Sequence, residues 1–157
     1  MRQRHRARRL ALQALCSLDV QGEKARPQAE QFIQDSDDLA EARLYATELL
    51  DRTWQRRDEC DKVLVQHARK WELPRLAMVD RNILRMGVSE LVEGKTPHKV
   101  IIAEAIKLAQ EFSTTESSRF VNGVLDAVAR EIRSNDLAAA TPASDEPGDD
   151  PEPEVQP

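Results

Sequence analysis

Five arginines fall within the first nine residues, Arg2, Arg4, Arg6, Arg8 and Arg9, with His5 among them and Gln13 following as a polar continuation. A guanidinium is planar, always charged, and aims paired N–H donors at phosphate oxygens while its flat face stacks on bases. Such a run could hold a nucleic-acid strand; the same composition also makes an ordinary solvated helix face. The positions around it are informative. Wound at 3.6 residues per turn, residues 2–20 place Ala7, Leu10, Ala11, Ala14, Leu15 and Leu18 on one face, and Arg2, Arg6, Arg9 and Gln13 on the other. One segment therefore needs a protein core on one side and offers cations on the other.

Other chemistries lack their residues. The chain has no G-x-x-x-x-G-K-[ST] or G-x-G-x-x-G loop to cradle phosphates and no H-E-x-x-H for zinc. Cys16 and Cys60 form no C-x-x-C pattern, and His5, His67 and His98 are scattered. Carboxylates are abundant, but no two are set apart as acid and base, and no nucleophile elbow is present. Neither catalysis nor a cofactor nor a metal is expected.

The formal charge is −5, which by itself disfavours a polyanionic ligand, yet the charge is unevenly placed. Seven acids and no Lys or Arg lie beyond Asn135, which leaves 23 bases against 21 acids before it. Residues 1–134 are thus expected to form one helical domain. Residues 135–157, rich in proline and acid, are expected to stay disordered because they cannot bury enough apolar surface to offset ordering entropy. No apolar run is long enough for a membrane span or a signal peptide, so a soluble, cytoplasmic protein is expected.

To position the arginine helix, the rest of the chain must supply a core. Aromatics make up only 4% of residues, which leaves packing to Leu, Ile, Val and Ala and favours helices. Gly22 reads as a helix stop, and Pro27 as the first turn of a short helix ending near Gln34. A third helix is predicted over about 38–56, capped by Ser36 or Asp37, and a fourth over about 58–70, stopped by Glu72-Leu73-Pro74. A fifth, over about 76–92, carries Gly87 as a mark of close helix approach and Glu90 near the centre of its apolar face, where a carboxylate needs a partner. A sixth, over about 97–111, has the widest apolar face and is expected to be the most buried. A seventh spans about 117–133. The fold class is all-α, about seven helices in a compact bundle.

Several blocks resemble one family. Val79-Asp80-Arg81-Asn82-Ile83-Leu84-Arg85-Met86-Gly87, then Pro97-His98-Lys99-Val100-Ile101-Ile102-Ala103-Glu104-Ala105, then Phe112 and Arg119-Phe120-Val121-Asn122-Gly123-Val124-Leu125-Asp126 resemble the NusB family of bacterial transcription antitermination factors. The arginine-rich start matches too, and the similarity runs in order over about residues 4–133. The resemblance implies two packed helical sub-bundles without cofactor or catalysis. It implies binding of boxA RNA in ribosomal RNA leaders, jointly with the ribosomal protein NusE. That pair joins the RNA polymerase elongation complex with other Nus factors. The resemblance also admits a homodimer.

Carried across by position, it assigns Arg4, His5, Arg6, Arg8, Arg9, Gln13, Lys99, Phe112, Arg119, Phe120 and Asn122 to RNA, and Cys16, Asp80, Arg81, Leu84 and Glu116 to NusE. The residues alone leave alternatives open. Phe112 and Phe120 could stack on bases or belong to the core. Asn122 could read a base edge or bond backbone, and Asp80-Arg81 could form an interface pair or a local cap. Cys16, Ser89 and Ala103 depart from the family's usual Tyr, aromatic and Asn. A helical adaptor that binds only protein, and an rRNA-processing or ribosome-assembly chaperone, remain alternative readings.

Overall fold

A computed structural model of the chain describes residues 2–68 and 76–140, with side chains through residue 135. Among the described residues seven α-helices follow one another: α1 (Arg2–Gln21), α2 (Arg26–Gln34), α3 (Ala40–Gln55), α4 (Arg57–His67), α5 (Met78–Glu93), α6 (His98–Phe112) and α7 (Thr115–Ala140). A single 3-10 turn, Glu23–Ala25, joins α1 to α2, and no strand occurs among the described residues.

Helices α1, α2 and α3 pack on one another as one sub-bundle, and α4, α5, α6 and α7 as a second. α5 joins them, because it packs against α1 and α3 on one side and α4, α6 and α7 on the other. One continuous apolar core runs through both. The predicted apolar face of α1, from Ala7 to Leu18, is buried as expected, together with Leu12. α1 thereby fixes its arginines relative to the whole bundle.

Two expectations about the elements are corrected. The most buried helix is α5 rather than α6: every residue from Asn82 to Leu91 is buried, whereas α6 buries five. A wide apolar face is buried only as far as neighbours cover it, and Ile102 and Ile106 of α6 stay half-exposed. Neither Ser36 nor Asp37 caps α3; the cap position is Leu39, with no side-chain cap bond. The segment before it is held by tertiary contacts instead, Arg6 to Asp38 at 3.5 Å and Arg43 Nη1 to the Ser36 carbonyl at 3.4 Å.

Gly87 does mark a close approach. A Cβ there would sit 2.7 Å from Leu125 Cδ1, so α5 and α7 meet closely enough that a side chain at 87 would force Leu125 to move. Gly94 ends α5 in the left-handed conformation, φ 74°, which an L side chain adopts only under strain. At the start of α7, Thr114 Oγ1 accepts the Ser117 N–H at 3.0 Å, so the helix begins two residues before the predicted Ser117. It also ends later than expected, at Ala140, because Leu137 and Ala138–Ala140 are good helix formers and the next proline is Pro142. The predicted end of α4 near Lys70, its stop at Glu72-Leu73-Pro74, and the acidic stretch from residue 141 onward lie outside the described residues.

Candidate nucleic-acid interface

α1 and α6 run beside an open groove of about 520 Å³. α1 contributes Arg2, His5, Arg6 and Arg9; α6 contributes Lys99, Val100, Ala103, Glu104 and Lys107. Spacings of three and four on α1, and of four on α6, put these side chains on the facing stripes. Ala103, the small residue between the two lysines, leaves the floor open. Five permanent cations and one histidine thus face one buried carboxylate, Glu104.

The cations are partly pre-oriented. His5 Nδ1 bonds Glu104 Oε2 at 2.6 Å, and its Nε2 lies 3.5 Å from Glu111 Oε2. Lys107 reaches Glu104 Oε1 at 3.4 Å. Burial by itself would push the Glu104 carboxyl up, but the His5 bond and charge, with Lys107 and Arg8, outweigh it and hold the group below its ordinary range. Arg9 Nη2 meets Glu111 Oε1 at 2.8 Å, and its guanidinium lies 5.8 Å from the centre of the Phe112 ring. The side chains of Arg6 and Arg9 remain 59% and 44% exposed, so these surface pairs cost little to exchange for phosphate oxygens.

Arg8 is the correction within the arginine run. It is 4% exposed and forms a fork with Glu90 of α5, Nε to both carboxylate oxygens at 3.0 and 3.2 Å and Nη2 to Oε2 at 3.1 Å. Tyr45 of α3 donates its hydroxyl to Glu90 Oε1 at 2.9 Å. This is the partner that Glu90 required. Arg8 ties α1 to α3 and α5 and is withheld from any ligand. Arg4 is exposed but turns to the opposite flank of α1, its guanidinium 4.3 Å from the centre of the Tyr45 ring, where it borders a separate hollow with Glu41 and Glu48.

Of the other residues assigned to RNA, Lys99 lines the groove, and Phe112 is half-buried at its α6 end, against the core. Gln13, Arg119 and Asn122 are exposed but are not among the groove's walls, and Phe120 packs partly against the core. Arg2 and Lys107 were not assigned from the sequence. The signal for Lys107 was available, since Lys99, Ala103 and Lys107 recur every four residues along one helix.

The residues assigned to NusE divide. Asp80 and Glu116 border a hollow of about 200 Å³ where the first turns of α5 and α7 meet, with Phe120, assigned to RNA, beside them. Asp80 is 6% exposed; its Oδ2 accepts the Ser117 hydroxyl at 2.8 Å, and its Oδ1 is buried without a hydrogen-bond partner. Arg81 bonds Asp19 of α1 through Nε at 3.0 Å, and no side chain caps the start of α5. Cys16 is half-buried beside Asn82. Leu84 is the second correction: it is 0% exposed in the core, out of reach of a partner, because its place in α5 faces inward.

Residues 5–130 match the sequence profile of the NusB family. The chain belongs to the NusB family. It is therefore a transcription antitermination factor rather than a member of a known enzyme family. Among its relatives, the transcription antitermination protein NusB of Symbiobacterium thermophilum is 42% identical over 139 residues, covering 83% of this chain and 91% of that one. NusB of T. maritima has a similar fold, with a TM-score of 0.71 and 32% identity, covering 82% of this chain and 91% of that one. A chain from a crystal structure of antitermination factors NusB and NusE in complex with dsRNA superposes with a TM-score of 0.74 at 29% identity, covering 83% and 98%. Among the described residues, no helix is long and apolar enough to cross a membrane.

Proposed function

We propose that this NusB-family chain binds boxA RNA of ribosomal RNA leaders in the cytoplasm, together with the ribosomal protein NusE. In that complex it joins RNA polymerase with other Nus factors to suppress premature termination and assist rRNA maturation. The observation that carries this reading is the α1–α6 groove, in which Arg2, Arg6, Arg9, Lys99 and Lys107 present five cations along one track. Backbone phosphates would follow that track, and bases turned outward would find flat groups at the Arg9–Phe112 end. Family membership and the likeness to a complex with NusE and dsRNA support both partners. For NusE, the hollow around Asp80 and Glu116 offers a buried carboxylate oxygen still able to accept a hydrogen bond, which suits a basic side chain.

Titration of boxA RNA at several salt concentrations tests the reading. Neutralising about five phosphates gives a slope of log affinity against log salt near −3.5 for a single strand. Addition of NusE should tighten the complex. A chain that binds NusE but shows no salt-dependent RNA binding would be an adaptor of proteins alone, and the proposal would fall.

A further inference from the structure

The groove has a second candidate occupant of the right charge within this chain. Beyond α7, residues 141–157 contain six acids, Asp145, Glu146, Asp149, Asp150, Glu152 and Glu154, and no Lys, Arg or His. The same residues include five prolines. A run of carboxylates at this density resembles a single strand of phosphates in charge, though not in the geometry that would give sequence preference.

The topology puts the groove within reach of a chain that continues from Ala140. α6 and α7 are joined by only two residues, Ser113 and Thr114, and pack along their lengths, so they run antiparallel. At 1.5 Å per residue, α6 is roughly 22 Å long and α7 roughly 39 Å. α7 therefore passes the His98 end of α6 by something like 17 Å before it stops at Ala140. Lys99, at that same end, is the entrance to the groove. An extended chain advances about 3.1 Å per residue, so the acids at 145–154 reach some 15–45 Å from Ala140. That range spans the overshoot and the groove from Lys99 to Lys107.

We propose that the acidic segment 141–157 lies in the α1–α6 groove when RNA is absent and must be displaced for RNA to bind. This rests on the reading of the groove as the RNA site. The segment acts as a tethered competitor, which raises the RNA concentration needed for occupancy and favours a ligand with more, and better placed, anionic groups. Its strength follows from tethering. A linker of this length gives an effective concentration of about the millimolar range, so a segment–groove dissociation constant between that and about a tenth of it fills roughly half to nine tenths of the grooves. The occupied fraction then weakens RNA binding by about 2- to 10-fold.

The test compares three proteins: the full chain, a chain ending at Ala140, and a full chain whose six acids are replaced by their amides (D145N, E146Q, D149N, D150N, E152Q, E154Q). A boxA RNA oligonucleotide is titrated by fluorescence anisotropy at 50 and 300 mM salt. At 50 mM both variants should bind about 2- to 10-fold tighter than the full chain, and at 300 mM the three should converge. Equal affinity of all three at 50 mM overturns the proposal. In parallel, backbone amide resonances are compared without RNA. Removal or neutralisation of the segment should shift residues 2–9 and 99–107, and unchanged resonances there overturn the proposal even if none of the proteins binds RNA. Loss of RNA binding in all three with shifted resonances would instead reject the groove as the RNA site while keeping the intramolecular contact.

Discussion

Replacing Arg8 with Ala separates the two roles that the arginine run combines. Arg8 and Glu90 are 4% and 5% exposed and share three nitrogen–oxygen contacts between 3.0 and 3.2 Å. Arg8→Ala leaves the Glu90 carboxylate buried with only the Tyr45 hydroxyl directed at it, 2.9 Å away. Removing one partner of such a pair costs about 3–5 kcal/mol, most of it the burden of the unpaired charge. For a helical domain of this size, with an unfolding entropy of about 2.1 cal/mol/K per residue, that lowers the melting temperature by roughly 11–18 °C. The assay is thermal unfolding by circular dichroism beside Arg6→Ala and Arg9→Ala, whose exposed side chains should leave the melting temperature within a few degrees. The double variant Arg8→Met with Glu90→Leu should recover most of the loss, since the penalty lies in the orphaned charge rather than in the absence of the pair. If Arg8→Ala melts with the parent but binds RNA poorly, Arg8 is an RNA contact and not a structural tie.

Gly87→Ala should destabilise by about 1–2 kcal/mol despite the better helix propensity of alanine, because the new methyl meets Leu125 at 2.7 Å; chemical denaturation checks this, and in a Leu125→Ala background the cost should vanish. Burial alone would raise the Asp19 carboxyl, but hydrogen bonds from Arg81 and Asn82 and the charge of Arg85 outweigh it and hold the group below the usual range. Its contribution to stability is therefore complete above the unfolded value near pH 4 and is lost as pH falls through the lower folded value, so Asp19→Asn should flatten the acid limb of a stability–pH curve. Burial pushes the Cys16 thiol up to about 11 and the Cys60 thiol up to about 12, so both should react with a thiol reagent at pH 8 at least about tenfold more slowly than free cysteine until the protein unfolds.

Much of the bundle was legible because helical period is a local property. The apolar stripe of α1, the Gly22 stop after it, the Pro27 start of α2 and the close approach at Gly87 all follow from a few neighbouring residues. What failed needed knowledge of distant neighbours. Arg8 precedes Leu12 and Leu15 by four and seven residues, all three buried, and Glu90 stood out as a carboxylate on an apolar face. Both halves of the ion pair were visible, but nothing local joins residues 82 positions apart. Leu84 belonged to a block resembling a partner-binding segment, yet it lies one turn beyond Asp80 on the same face of α5, where neighbouring helices cover it completely while Asp80 at the helix start still borders a hollow. α6 seemed the central helix from its width of apolar residues, whereas centrality belongs to α5, whose small Gly87 and Ser89 let helices close in from several sides. The groove required α1 and α6 to be adjacent, which no spacing within either helix reveals.

The most direct test of α1 and α6 as the RNA track is the salt dependence of boxA RNA binding by Arg6→Ala/Arg9→Ala beside the parent chain. Loss of two phosphate contacts should weaken binding at least tenfold at low salt and make the slope of log affinity against log salt shallower by about 1.4, with the melting temperature unchanged to within a few degrees. An unaltered affinity and slope in a folded variant would contradict it, and the RNA would have to lie elsewhere on the bundle.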